Sequence, residues 1–476
     1  MNYILLSGGS GKRLWPLSNE IRSKQFIKVL KNNDGTYESM VQRVYRQIKN
    51  IDKNANITIA TSNAQVPALK NQLGDKIDVS IESCRRDTFP AIVLACMYLK
   101  DVKKIDINDT VVISPVDPYV NDDYFKCLKE LDDKMKSSKN NIGLIGIKPT
   151  YPSEKYGYIV VCKDENSRRE ENNRREENNR REGDGRREEN NRRGEHCEPA
   201  DASYTSPTMV VEKFIEKPTE PEAQKLIDSG ALWNGGVFCF KLKYIVDKAH
   251  ELIDFKDYND LCNKYDSLTK ISFDYAVVEK EKNIDVVVYE GEWKDIGTWN
   301  TLTEVMTEKI VGNVIIDEKS NNTNVINELN IPIIVMGLNN TVVAASYDGI
   351  FVSDKNESSY NKPLVEKLDH HPMYEERIWG EFQVIDIYKN SLTKHLFIKE
   401  GKSISYQKHN HRDEVWTIID GKGILTLNDE KKEVHAGDVI TIKKGDKHSL
   451  KATNDLHFIE VQYGDEISED DIERYN

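Results

Sequence analysis

The sequence predicts an α/β fold over residues 1–300, then a small all-β section, then a C-terminal antiparallel β-barrel. Three observations predict it. Short apolar runs alternate with longer amphipathic ones over residues 1–300. Short strand-like runs recur at regular spacing over 310–356. From 377 to 465 further strand-like runs are separated by turn signals such as DGKG, HAGD and KKGDKH.

The first part reads element by element. NYILLS, NITIATS, DTVVISPV and IGLIGI are strand-like, whereas YESMVQRVYRQIKN, FPAIVLACMYLK and DYFKCLKELDDKMK have the length and spacing of helices. Strands alternating with helices indicate a parallel sheet covered on both faces. Ligands in such sheets sit beyond the C-terminal ends of the strands, so the loop after each strand is where chemistry is sought.

Bulk properties bound the rest. A chain of 476 residues exceeds one compact core and implies two or three domains. No apolar run approaches the length a bilayer needs. The start, MNYILLSGG, has no basic lead-in and turns to glycine early, so it reads as a first strand and not as a secretory signal. Seven cysteines are scattered with no Cys-x-x-Cys pair, which fits free thiols in a reducing cytoplasm. A net charge of -13 argues against nucleic acid or an anionic membrane as the main partner, while leaving room for phosphate ligands held by local cations.

Residues 168–193 repeat RREENN with no apolar residue. Such a stretch has nothing to bury against the entropy of ordering, and its Glu and Arg charges largely cancel. It is expected to be a disordered loop between two strands. The runs VGNVIID, TNVINE, IPIIVMG, TVVAAS and GIFVSD suggest a small solenoid or sandwich, followed by a helical linker near 358–376.

The loop SGGSGKRLWPLS follows the first strand directly. Gly8, Gly9 and Gly11 let backbone amides approach a phosphate. A Walker loop fails because Leu6 stands where glycine is needed and Arg13 follows Lys12. A dinucleotide fingerprint fails because Leu14 replaces its third glycine. What remains is a glycine nest with two fixed cations, Arg13 and Lys24, which suits a triphosphate attacked at its α-phosphorus. Asp117, after TVVISPV, and Asp295, in WKDIGTW, are acidic residues at strand ends. By themselves they read as caps or turn residues.

A second constellation lies in the C-terminal part. HNHRDE carries His409, His411 and Glu414, and GDVITIKKGDKH ends at His448. Read as a strand, His409 and His411 share a face. Three imidazoles and one carboxylate suit zinc, iron, nickel or manganese.

Several motifs in one order now define a resemblance. LSGGSGKRLWPLS…KQF, ESCRRDTFPAI, SPVDPYV, PTYPSEKYGYI, FIEKP, WNGGVF, ISFDYAVVEK and WKDIGTW resemble the sugar-nucleotide pyrophosphorylases, and among them the mannose-1-phosphate guanylyltransferases. The resemblance implies a Rossmann-like, GT-A-like nucleotidyltransferase domain over 1–305. It makes Arg13, Lys24, Asp117 and Asp295 catalytic, with Asp117 and Asp295 holding Mg2+. It implies nucleotide contacts from Leu6, Gly8, Gly9, Gly11 and Asp87, and sugar-phosphate contacts from Gly157, Glu216, Lys217 and Asn234. No general base is required, because the attacking phosphate is already an anion. The chain departs from the family at Lys12, Ser23, Asp87 and Pro118, where Thr, Pro, Asn and His are usual. Asp87 suits guanine, whose N1 and N2 hydrogens it accepts, better than uracil or thymine.

The C-terminal part resembles the cupin motifs and, within them, the type II phosphomannose isomerase half of bifunctional enzymes. The landmarks are RIWG at Arg377, Lys394, Gln407 and EDDIER at Arg474. Departures are a short gap before Glu414, Lys443 in place of Pro, RIWG without its Pro, and an end at Asn476 ahead of the family's basic segment. The resemblance implies a cupin β-barrel over 377–476, after a small β-rich domain at 306–357, with His409, His411, Glu414 and His448 on a divalent transition metal such as Zn2+. The expected reaction is guanylyl transfer from GTP to mannose 1-phosphate, with mannose 6-phosphate isomerisation in the barrel. The competing reading keeps the fold but changes the sugar or base and leaves a metal-binding, non-catalytic barrel. Nucleoside triphosphate and sugar 1-phosphate are the expected partners, with no nucleic acid and no membrane, and a homodimer is compatible with this.

Overall fold

The computed structural model describes residues 1–9, 11–32, 34–163, 209–282, 284–368 and 372–475. The repeat at 168–193, expected to be a disordered insert, lies outside these residues. The chain divides into two compact units. One comprises Met1–Ser7, Tyr45–Thr61 and Asp78–Lys294, the other Gly8–Val44, Ser62–Ile77 and Asp295–Asn476. Among the described residues no helix is long and apolar enough to cross a membrane.

The first unit is built on a nine-stranded sheet. In spatial order its strands are Asp78–Glu82, Asn56–Ser62, Asn2–Leu6, Thr110–Pro115, Leu232–Lys241, Ile142–Ile147, Ile284–Tyr289, Met209–Glu216 and Gly157–Lys163. Asn2–Leu6 runs parallel to both of its neighbours, and Ile142–Ile147 runs parallel to Ile284–Tyr289. Leu232–Lys241 lies antiparallel between Thr110–Pro115 and Ile142–Ile147. The sheet is therefore mixed, not all-parallel as expected. A strand buried on both faces is apolar whichever way it runs, so its composition carries no direction.

Both faces are covered, as strand periodicity demands. Ile142 and Leu144 join one apolar cluster with Ile92, Leu99 and Phe240. Gly143, pointing the other way, sits so close to the helix Asp122–Ser137 that an added Cβ would lie 2.6 Å from Leu131. That helix starts where Asn121 accepts the Asp123 amide at 3.1 Å, carries Asp122 and Asp123 in its first turn, and ends with Lys134 and Lys136. The signs oppose the helix dipole at each end.

In the second unit, Asn324–Asn327 lies parallel between Ile310–Val311 and Thr341–Ser346, and Val314–Ile316 lies parallel to Ile333–Val335. Parallel pairing between such near neighbours in sequence is the coil of a small solenoid, with Val325, Val335 and Val343 inside. Gly349–Asp354 then returns antiparallel. Two antiparallel sheets of six and five strands form the C-terminal barrel around Trp416, Phe458, Ile398 and Leu450. The six-stranded sheet takes its first strand, Tyr374–Arg377, from the end of the segment expected to be linker.

Candidate active site

The glycine loop belongs to the second unit. Gly11 adopts φ 62°, and a Cβ there would collide with the Asn19 carbonyl oxygen, so the position requires glycine. Ser18 donates its hydroxyl to the Gly11 carbonyl. Ser23, a departure from the resembled family, is buried. It donates to the Gly9 carbonyl at 3.2 Å and accepts from Gln65 Nε2 at 2.6 Å. The loop is thereby tied to the short helix Lys24–Phe26 that begins at the next residue. Arg13 lies on the short helix Lys12–Leu14 with an exposed side chain, and its carbonyl accepts from Asn361 at 3.0 Å. Lys24 Nζ stands 3.5 Å from Asp295 Oδ1. Gly297 leaves the Asp295 carboxylate room, since a Cβ there would meet its Oδ2 at 3.1 Å.

The first unit carries the other expected residues. Leu6 ends the first strand, in register with Pro115, and Asp117 follows the strand Thr110–Pro115. Asp87 adopts φ 69° and caps the helix Thr88–Asp101, its Oδ1 accepting the Thr88 amide at 2.8 Å. One of its oxygens is therefore committed to the helix. Gly157 and Glu216 are register partners, and a Cβ at Gly157 would lie 2.5 Å from Glu216 Oε2. Lys217 Nζ is 2.7 Å from Glu216 Oε1, and that bond holds the Lys217 ammonium above its ordinary pKa. Asn234 donates from Nδ2 to Asp274 Oδ1 at 2.8 Å. Within ISFDYAVVEK the sequence by itself does not mark out Asp274. The one signal available was an acid inside an otherwise core-like run.

The barrel assembles a different set from the one expected. His409, Glu414 and His448 are buried and offer ligand atoms within 4.8 Å of one another. His409 Nε2 is 3.1 Å from Glu414 Oε1, and His448 Nε2 is 3.6 Å from Glu414 Oε2. His411 does not join them. It is exposed, and its amide donates to Asp471 Oδ2 at 3.1 Å. The reason is local. Residues 409–411 lie outside any strand, so the two-residue strand period does not apply there. The strand starts at Arg412 and turns Arg412, Glu414, Trp416 and Ile418 inward. Arg412, unforeseen, fills the inward place and donates from Nε to Glu414 Oε1.

The donor set fits a metal. His448 Nδ1 faces the Asp446 carbonyl at 3.0 Å and His409 Nδ1 faces the Asp471 carbonyl at 3.0 Å. Each ring thus engages a backbone carbonyl through Nδ1 and turns Nε2 toward Glu414. His448 Nε2 is buried without a hydrogen-bond partner. Burial lowers the His448 pKa, against the opposing pull of Glu414. For Glu414, burial alone raises the pKa, but His409, His448 and Arg412 outweigh it and bring it down to about 2. Two buried imidazoles and a carboxylate suit a divalent transition metal. A cavity of about 80 Å³ adjoins the cluster, lined by Arg377, Lys394, Gln407 and Arg474 together with Glu414 and Glu460. The four landmarks of the resemblance thus meet at one hollow.

The mixed α/β sheet and its glycine loop define a class: the chain belongs to the nucleotidyl transferase family, whose model matches residues 2–171 and 202–310. Residues 365–476 match the C-terminal domain of mannose-6-phosphate isomerases. The chain is 29% identical to a mannose-1-phosphate guanylyltransferase of Salmonella montevideo, over 99% of this chain and 98% of that one. It is 28% identical to the xanthan biosynthesis protein XanB of Xanthomonas campestris pv. campestris, over 99% and 97%. It is 26% identical to the alginate biosynthesis protein AlgA of Pseudomonas aeruginosa, over 99% and 95%. A crystal structure described as mannose-1-phosphate geranyltransferase from Thermus thermophilus superposes with a TM-score of 0.56, covering 78% of this chain and 99% of that chain at 22% identity. That last likeness concerns the fold.

Proposed function

We propose that the chain transfers a guanylyl group from GTP to α-D-mannose 1-phosphate, giving GDP-mannose and pyrophosphate, and that its barrel interconverts mannose 6-phosphate and fructose 6-phosphate. The observation that carries this is the end-to-end similarity, over 99% of the chain, to relatives named mannose-1-phosphate guanylyltransferase. We assign residues 1–305 to the transferase, 306–357 to the small β domain, 358–376 to the linker and 377–476 to the barrel.

In this reading a phosphate oxygen of the sugar 1-phosphate attacks the α-phosphorus of GTP in line, and the bond to the departing pyrophosphate breaks. The amides of Gly8, Gly9 and Gly11 cradle the triphosphate, and Arg13 and Lys24 balance the charge that builds on it. Asp117 and Asp295 would hold Mg2+, which would supply further charge neutralisation. Gly157, Glu216 and Asn234 hold the sugar, and Lys217 balances its phosphate. Leu6 and Asp87 flank the nucleotide. In the barrel, His409, Glu414 and His448 would hold Zn2+ or a similar ion, which would supply polarisation of the sugar carbonyl. Cys84, Cys96, Cys127, Cys239 and Cys262 are free thiols, which supports a cytoplasmic location.

The test is a panel of four nucleoside triphosphates against several sugar 1-phosphates, read as pyrophosphate release, with fructose 6-phosphate isomerisation measured alongside. GTP with mannose 1-phosphate should give the highest kcat/KM. Asp117→Ala and Asp295→Ala should abolish release, and Arg13→Ala should lower kcat more than it raises KM. A better rate with another pair would overturn the substrate assignment.

A further inference from the structure

Asn234 sits where the Leu232–Lys241 strand breaks register against Ile142–Ile147. Its side-chain amide is held at both ends. Oδ1 accepts the Gly236 amide at 3.0 Å, in a turn that Gly236 completes at φ 68°. Nδ2 donates to Asp274 Oδ1 at 2.8 Å. An amide with a fixed donor partner on one side and a fixed acceptor partner on the other has one orientation. It keeps one N–H and one oxygen lone pair for a ligand.

Asp274 is itself held firmly. It lies in the one-turn helix Phe273–Ala276, which Ser272 caps by accepting the Tyr275 amide at 3.3 Å. The Phe273 amide donates to Thr88 Oγ1 at 2.8 Å, and the Phe273 ring is buried in the core. Glu216 lies near enough to act on the Asp274 carboxyl. Burial first, and Glu216 with it, push that carboxyl above the usual carboxylate range, while the bond from Asn234 opposes them. Asp274 thus bonds Asn234 and also feels the Glu216 charge.

We propose that Asp274 is the positioning residue of the sugar subsite: it locks the Asn234 amide so that its free N–H and its oxygen meet adjacent hexose hydroxyls in a fixed order, and it thereby sets discrimination between hexose 1-phosphate epimers. This rests on the reading that Asn234 contacts the sugar. A site built to bond particular hydroxyls rejects a sugar that misplaces them, because its own polar groups are then left unpaired. Without Asp274 the amide loses one of its two anchors, and its remaining N–H is no longer held in a fixed direction toward the sugar.

The experiment uses the full chain with GTP, varying mannose 1-phosphate or glucose 1-phosphate, in the parent and in Asp274→Ala, Asp274→Asn and Asn234→Ala. Asp274→Ala should raise the KM for the better sugar phosphate about tenfold and shrink its preference over the epimer, with the KM for GTP unchanged. Asp274→Asn keeps a side-chain oxygen to accept from Asn234 and should recover most of both. The Asp274→Ala and Asn234→Ala double variant should be no worse than Asn234→Ala alone. If Asp274→Ala does not fold, Asp274→Glu, which displaces the acceptor by one methylene, is read in its place with the same expected outcome. A raised sugar KM in Asn234→Ala, with neither KM nor epimer ratio altered at Asp274, overturns the inference and leaves the sugar contact standing. An Asn234→Ala variant with normal sugar KM overturns the contact itself, and the inference with it.

Discussion

Arg412 donates from Nε to Glu414 Oε1 at 3.1 Å, and both side chains are only 2% exposed. The guanidinium also donates to the Ser468 carbonyl at 2.6 Å. A fixed cation thus stands beside the carboxylate of the three-residue cluster. It compensates Glu414 when no metal is present and competes with a metal for it. Arg412→Met should therefore destabilise the metal-free chain by about 3 kcal/mol, since it strands a buried carboxylate. The same variant should show a larger rise in Tm on adding zinc than the parent does. Thermal unfolding with chelator and with zinc checks both, and equal zinc shifts would count against competition.

His411 stands outside the cluster, so its removal should be silent for metal. Elemental analysis of purified His411→Ala should find the parent's transition-metal content. His409→Ala and His448→Ala should lose most of theirs, each taking away one buried nitrogen. Metal loss confined to His411→Ala would reverse the ligand assignment.

Arg22 binds Glu328 through two hydrogen bonds of 2.7 and 2.8 Å, with side chains 18% and 24% exposed. This fork fastens the segment after the glycine loop to the small solenoid. Glu328→Ala should cost about 2 kcal/mol, less than a fully buried pair because water screens part of it. Arg22→Lys should not restore the stability, since an ammonium lacks the planar fork. Urea titrations of the single and double variants give the coupling energy. A coupling near zero would show that the fork holds nothing.

Burial pushes the Glu460 carboxyl up to about 7, with Glu414 adding to the rise and Lys394 and Arg412 opposing it. A carboxyl raised in the folded state contributes fully below its ordinary value, near 4.5. That contribution is lost as pH climbs through about 7. In the metal-free chain, Glu460→Gln should flatten the fall in Tm between about pH 5 and about pH 8 that the parent shows. Parallel slopes in parent and variant would mean that another group governs this window.

Much of the fold was legible because period and length are local properties. The helices Thr88–Asp101 and Asp122–Ser137 stand where their apolar spacing put them, and so do the strands Asn2–Leu6 and Ile142–Ile147. The glycine loop was legible for the same reason, since Gly11 needs its φ whatever surrounds it. The antiparallel course of Leu232–Lys241 was not, because neighbours distant in sequence choose direction. Ser23 read as a mere departure from the family. Its work is to hold Gly9 and Gln65, and a hydroxyl's partners are visible only once the chain has folded.

By itself, then, the sequence determined the class of fold and the cations, acids and imidazoles available to it, since both follow from residue type and local spacing. The tertiary structure decided which of them meet. It shaped residues 409–411 so that His409 is buried in the cluster and His411 is exposed, and it placed Arg412 on Glu414. It also brought Asp274 from a short helix to the Asn234 amide, 40 residues away in sequence. Each of these contacts depends on elements packing across the chain, where side-chain direction is fixed by neighbours and not by the residue itself.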